Sequence, residues 1–244
     1  MLTVRLHPDG LRVEEIPTPE PSEGEVLVRV HAAAITRDEL QWPTDRLPAI
    51  PSYELSGVVV DTGEEVYGLT PFDRDGVAAE YAVVPVAVLA PKPASLSHVE
   101  AAALPMPGLT AWQALFEHGR LQRGDRVIVT GARGGVGHLA VQLARHAGAM
   151  VVENGSADLV FDTVGGQIPS GDRVVTIAAE VPGADYFTVE PNRGQLLELA
   201  RLADARELRP AVDSTFPLQK ALEAFDRLTV RGKHGKVVID VACG

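Results

Sequence analysis

The chain has 244 residues, enough for one large or two small domains, and 45% of them are hydrophobic, so a globular protein with sizeable cores is expected. A formal charge of -11, with no run of lysine or arginine, argues against a nucleic-acid partner. No apolar stretch reaches the length of a membrane span and the opening "MLTVRLHPDG" has no signal pattern, so a cytoplasmic protein without a membrane partner is expected.

From Leu2 to about Pro93, short β-rich runs alternate with turn residues: "LTVRL", "LRVEE", "EVLVRVHAA", "ELSGVVV", "EEVYGL" and "AAEYAVVPVAVLAP". They predict a small, irregular β-barrel-like domain, with the proline-rich "IPTPEPSEG" as a loop inside it. Helical signals begin at Ser97, where "SHVE" offers a capping box before "AAALPM". A second helix is expected over "TAWQALFEHG", ended by Gly119.

Next, "DRVIVTGARGGVGHLAVQLARHAGA" reads as a β-branched strand, a glycine turn and a helix whose Val136, Leu139, Ala140, Leu143 and Ala144 share one face. Such a turn must be tight, let the backbone approach a pyrophosphate and pack the helix on the strand, and each demand favours a residue without Cβ. Gly134 and Gly137 meet the last two demands, while amides around Gly135 and Val136 open the helix and can hold an anion. Glu153 stands about twenty residues on, where a ribose-binding carboxylate is expected; there it would repel a 2′-phosphate and favour NAD over NADP.

The remaining segments predict strands "RVVTIAA" and "YFTVEP", a helix "RGQLLELARLADA", a strand "AVDSTF", a helix carrying Leu218, Ala221, Leu222, Phe225 and Leu228, and a last strand "GKVVIDV". The one cysteine, Cys243, excludes an intrachain disulfide and a multi-thiolate metal site.

Together "HAAAITRDELQWP", "LPAIPSYELSG", "AAALPMPGLTAWQALFEHG", "GARGGVGHLAVQLARHAGA", "DTVGG" and "RGKHGKVV" make the chain resemble the zinc-independent quinone oxidoreductase branch of the medium-chain dehydrogenase/reductase superfamily. The resemblance implies an α/β protein with a GroES-like β-barrel domain over 1–103 and 209–244 and a Rossmann-like domain over 104–208. It also implies hydride transfer from NAD(P)H to a quinone or activated C=C, a small-molecule substrate and a homodimer. Zinc-dependent relatives place a cysteine and a histidine where this chain has Thr36 and Tyr53, so no catalytic zinc is expected. Thr36, Arg37, Asp38 and Tyr53 would face the nicotinamide, with Thr36, Asp38 and Tyr53 as catalytic candidates. Cofactor contacts carried over in the same way are Thr163, Gly165, Ile177, Ala178 and Lys233, beside Gly134, Gly135, Val136, Gly137 and Glu153. Tyr186 and Phe187 belong to the same set, and equally to a core.

One stretch does not match a full Rossmann domain. Between "VVE" and "LVFD" only five residues remain, Asn154 to Asp158, reaching at most about 18 Å. A full strand of roughly 16 Å and a lateral step of about 10 Å leave nothing for a crossover helix. "GGQIPSGD" is likewise too short and too rich in Gly and Pro to replace the next helix. A third shortening lies in "VVVDTGEEVYGL". Asn154-Gly155 is a hairpin signal, so "MVVE", "DLVFDTV" and "RVVTIAA" are expected to run up, down and up in a mixed, truncated sheet. Loss of the adenosine pocket would then leave NAD(P)H binding weak or absent. A reductase is expected first. The alternative is a redox-inactive descendant catalysing a cofactor-independent cyclisation, isomerisation or elimination in small-molecule biosynthesis.

Overall fold

The computed structural model describes residues 1–42 and 46–242; Cys243 and Pro43 lie outside them. The β-rich runs become β1 (Leu2–His7), β2 (Gly10–Glu15), β3 (Glu25–Ile35), β4 (Glu54–Val59), β5 (Glu65–Leu69), β6 (Tyr81–Pro85) and β7 (Leu89–Pro91). Helix α1 (His98–Ala102) starts at the expected capping box, in which Glu100 N–H donates to Ser97 Oγ and Ser97 N–H to Glu100 Oε2. Helix α2 (Pro105–Trp112) opens on a proline that needs no amide partner, then widens into a π-helical turn, Gln113–His118. It stops at Gly119, where a Cβ would lie 2.6 Å from the Ala114 carbonyl oxygen.

The chain continues through β8 (Arg126–Val129), α3 (Gly137–His146), β9 (Met150–Val151), β10 (Leu159–Asp162), β11 (Arg173–Thr176), β12 (Asp185–Tyr186) and α4 (Arg193–Asp204), and closes with β13 (Val212–Pro217), α5 (Ala221–Thr229) and β14 (Lys236–Asp240). On α5, Ala221, Ala224, Phe225 and Leu228 face the core while Leu222, expected among them, is exposed. It stands one residue off the buried stripe.

Strands β13 and β14 return from the end of the chain to the N-terminal strands, giving a seven-stranded sheet in which β3 is the spine. It pairs antiparallel with β4, β6 and β14, whereas β13 runs parallel to β14, so this sheet is mixed. The second sheet has five strands in the order β12-β11-β10-β8-β9. Every pair in it is parallel, which corrects the expected up-down-up course.

The reason is the length of β9. Only Met150 and Val151 pair, with Arg126 and Val127 at the start of β8, so the chain climbs about 7 Å rather than a whole strand. Asn154-Gly155 does turn the chain, with Gly155 at φ +91°, but β8 lies between the two flanking strands and no hairpin forms. Residues 152–158 pass around Arg126, whose Nε donates to Ser156 O (2.9 Å) and whose N–H donates to Asp158 Oδ2 (2.7 Å), before entering β10 on the other side. Seven residues cover that lateral step without a helix.

Valines and leucines alternate across the parallel sheet. Val127, Val129, Leu159, Phe161 and Val175 face the main core shared with Leu109 of α2, Leu139 and Leu143 of α3 and Leu196 and Leu199 of α4. On the opposite face, Ile128 and Val160 form a smaller cluster with Ala157, Val152, Ile168 and Val174, all from loops and strands. The loop carrying Ile168 stands where a crossover helix would otherwise lie.

Candidate active site

Parallel strands end together, and the turns after β8, β10 and β11 meet around one buried carboxylate, Asp162. It accepts from Thr130 Oγ1 (2.6 Å), Thr176 Oγ1 (3.0 Å) and the amides of Val164 and Gly165. Burial alone would raise its pKa, but these donors outweigh burial and hold it below the ordinary aspartate value. Thr163 is locked to the neighbouring turn twice, its N–H donating to Thr130 Oγ1 and its Oγ1 to Thr130 O. Gly165 sits at φ +79°, where a Cβ would come within 3.2 Å of Ala178 Cβ. Ile177 packs at the margin of the main core, with Ala178 beside it exposed. Thr163, Gly165, Ile177 and Ala178 therefore line one edge, as a crevice at the carboxyl ends of a parallel sheet requires.

The glycine turn adjoins the same edge. Gly131, at φ +65°, is close to Thr163 and Val164, and Gly137 starts α3 so near Gly131 that a Cβ would stand 2.2 Å from its carbonyl oxygen. Residues 131–134 are exposed. The second half of the turn faces the C-terminal segment: Gly134 forms a parallel bridge with Gly235, and His234 Nδ1 lies 3.0 Å from Arg133 O. His138 Nε2 accepts from Ala211 N–H (3.0 Å), which leaves Nδ1 to donate to Gly134 O (2.9 Å). Burial keeps this imidazole below the usual histidine pKa, and hence neutral. Lys233 is half-buried, its Nζ donating to Leu228 O, and burial followed by the charge of Arg37 lowers its pKa.

Across the crevice, the end of β3 and the start of β4 bring up a second polar network. Thr36 Oγ1 accepts from Lys236 Nζ at 2.7 Å, and Lys236 is ion-paired with Glu54 Oε1. The other oxygen of Glu54 accepts from Met106 N–H (3.1 Å). Glu39 accepts from Thr36 N–H (2.8 Å) and Ser52 N–H (3.1 Å). Glu39, Glu54 and Lys236 are all buried; Lys236 pairs with Glu54, and its charge also acts on Glu39. Burial, only partly offset by Lys236, raises the pKa of both, with Glu39 pushed up to about 8.

Of the sequence candidates in this region, Thr36 is half-exposed and central. Arg37 and Asp38 are exposed, and Asp38 at φ +64° turns the chain into a short 3-10 helix, Glu39–Gln41. Tyr53 stacks with Trp42 (5.9 Å between centroids) and edges onto Phe72 (5.1 Å), and burial raises its pKa. Glu153 is exposed in the reversing loop between Val152, bonded to Val127, and Ser156, bonded to Arg126. Tyr186 is exposed, whereas Phe187 is buried and stacks on His118 (4.2 Å). Sequence reasoning missed Glu39, Lys236 and Asp162, and set Glu54 aside. For Lys236, Asp162 and Glu54 the available signal was a charged residue opening or closing an otherwise apolar strand, a signal that Glu39, in a 3-10 turn, does not carry.

Two family profiles match, the alcohol dehydrogenase GroES-like domain at residues 22–74 and zinc-binding dehydrogenase at 138–239. The "2-methylene-furan-3-one reductase" of Solanum lycopersicum is 30% identical, covering 95% of this chain and 76% of its own. The chain belongs to the quinone oxidoreductase-like branch of the medium-chain dehydrogenase/reductase superfamily. Among its relatives in that superfamily, the "Quinone-oxidoreductase homolog, chloroplastic" of Spinacia oleracea is 26% identical over 95% of this chain and 94% of its own. That alignment runs to 312 positions, more than this chain's 244 residues, so the relative carries internal stretches absent here. The solved quinone oxidoreductase of Thermus thermophilus, described with its NADPH complex, superposes with a TM-score of 0.85 at 30% identity, covering 99% of this chain and 100% of that one.

One of the superfamily profiles is named for zinc, but the donors around Thr36 do not suit that ion. They are a hydroxyl and two carboxylates, one already paired with an ammonium. Among the described residues no three His, Cys, Asp or Glu side chains gather to hold a metal. No helix among them is long and apolar enough to cross a membrane.

Proposed function

We propose that this protein is an NAD(P)H-dependent reductase of quinones or of C=C bonds conjugated to a carbonyl, working without zinc. The observation that carries this reading is the parallel sheet. Its carboxyl ends share one edge, so the exposed glycine turn, the Thr163–Gly165 turn and Ile177–Ala178 lie along a single crevice. Relatives named as quinone and "NADPH-dependent alkenal/one" oxidoreductases support the same chemistry. Gly134 to Gly137 would hold the pyrophosphate and the Thr163–Gly165 turn would flank the nicotinamide half. Bound there, the dinucleotide supplies a hydride.

What the chain contributes is binding and orientation on the sheet edge, and on the facing side a threonine hydroxyl backed by a buried lysine. Among the described residues no further strand lies beyond β9 to wall the adenosine, so affinity for the dinucleotide is expected to be weak. The cofactor-independent alternative rests on the loss of the adenosine pocket, and the relatives named as reductases and oxidoreductases give it no support.

The test is oxidation of NADPH and NADH by cyclohexenone and by naphthoquinone, followed by loss of reduced-nicotinamide absorbance, with a saturated alcohol plus oxidised NADP, followed by its gain, as the comparison. Turnover of the enone or the quinone with a high KM for the dinucleotide is expected. Failure of both acceptors with both dinucleotides would overturn the assignment.

A further inference from the structure

Within the network facing the crevice, only Thr36 is partly exposed; Lys236, Glu54 and Glu39 are closed off behind it. Lysine ammonium has donors and no acceptor, so at 2.7 Å Thr36 Oγ1 must accept from Lys236 Nζ. That fixes the oxygen and leaves the hydroxyl proton free to turn. Its neighbours inside the protein are poor acceptors: Met106 Sδ at 3.3 Å, a weak thioether, and Glu54 Oε1 at 3.5 Å, the limit of a hydrogen bond. The backbone is held as well, because Thr36 N–H donates to Glu39. A buried ammonium needs acceptors for the N–H bonds its carboxylate partner does not take. For Lys236 one of these acceptors is the half-exposed hydroxyl at the crevice, so that the buried charge and the crevice are joined by a single hydrogen bond.

We infer that Lys236, anchored by Glu54, is a positioning residue that holds Thr36 Oγ1 as the proton donor to the reduced substrate and restores the proton Thr36 gives up. The inference rests on the reductase reading above. The substrate gains a hydride, with its electron pair, from the reduced nicotinamide, which is thereby oxidised. The enolate or hydroquinone monoanion left behind takes the proton of Thr36 as that O–H bond breaks. An N–H bond of Lys236 breaks in turn and its proton moves to Oγ1. The neutral amine remaining beside Glu54 regains a proton from water through Thr36 once the product has left. Elevation of both buried carboxyl pKa values agrees with a network that carries a mobile proton.

Two measurements test this, one of them independent of turnover. Para-nitrophenol, whose anion imitates the product oxyanion, is titrated into the protein with oxidised NADP present, and the bound phenolate is read by its absorbance. The wild type should bind it as phenolate, Thr36→Ser should match the wild type, and Thr36→Val should bind at least tenfold more weakly. In cyclohexenone turnover, Thr36→Val should lower kcat by roughly 100-fold with KM for NADPH unchanged. Lys236→Arg keeps the charge but offers no transferable proton at neutral pH, so it should retain phenolate binding yet lose most of kcat and the pH dependence of the wild type. Equal phenolate binding and equal kcat in wild type and Thr36→Val would overturn the relay while leaving the reductase assignment intact. A wild type with no turnover of enone or quinone would instead overturn that assignment.

Discussion

Gly131 and Thr163 are packed so closely that a Cβ on Gly131 would stand 2.4 Å from Thr163 Oγ1, and 2.6 Å from Val164 Cγ2. The turn after β8 thus depends on the turn after β10, although the glycine motif is usually read from its own residues alone. Gly131→Ala must displace two side chains and also hold alanine at φ +65°. The cost should be about 1–3 kcal/mol, seen as a fall in Tm of several degrees. Because the Thr163–Gly165 turn moves with it, NADPH affinity measured by fluorescence should fall more than stability does. A variant with wild-type Tm and wild-type affinity would contradict the contact.

A second prediction concerns Asp162, an acceptor for two hydroxyls and two amides. In Asp162→Asn one oxygen becomes a donor facing donors, which should cost about 1–3 kcal/mol. The folded-state pKa lies below the unfolded one, so the native aspartate adds stability above the ordinary carboxylate range, about pH 4, and loses it as pH falls through the lower folded value. Urea midpoints at neutral and acid pH should therefore show a large gap between wild type and variant at neutral pH and a smaller one in acid. A gap independent of pH would show that the charge is not what the network holds.

Much of this architecture was legible in the residues. The Ser97 capping box, the glycine turn and the strand "GKVVIDV" follow from local patterns, since caps, turns and alternation are written within a few neighbouring positions. The return of that strand to the N-terminal sheet, by contrast, is what the family resemblance implies. What was not legible depends on distance or on length. "MVVE" has the composition of a strand, but nothing in it says that only Met150 and Val151 pair, and the expected antiparallel course failed on that point. Lys236 looks like a surface residue opening a strand, and its partners Glu54 and Thr36 belong to the opposite end of the chain. Local sequence holds no trace of that pairing.

Glu39 makes stability depend on pH in the opposite sense from Asp162. Its folded pKa, about 8, exceeds the unfolded value, so between roughly pH 4.5 and 8 the folded state binds more protons and stability falls as pH rises. Glu39→Gln removes this slope, while its amide group faces the Thr36 and Ser52 N–H donors with one acceptor fewer, a loss of about 1 kcal/mol. Thermal unfolding at pH 5 should find the variant less stable than the wild type, and at pH 9 the difference should shrink or reverse. Parallel curves across that range would mean that Glu39 is ionised throughout.

The last prediction tests the face of the parallel sheet that has no helix. Ile168 lies against Ile128, Ala157 and Val160 on a loop only ten residues long between β10 and β11. A helix would spread such burial over several side chains, whereas here much of it falls on one half-buried isoleucine. Ile168→Ala should cost about 2 kcal/mol, the lower end for a large-to-small change, because the side chain is partly exposed at the start. Exchange of the backbone amides of β10 and β11 should accelerate in the variant while those of β3 and β14, in the other sheet, stay protected. If all four strands lost protection equally, the cover would be supporting the whole molecule rather than this face, and the reading of the loop as a substitute for the helix would fail.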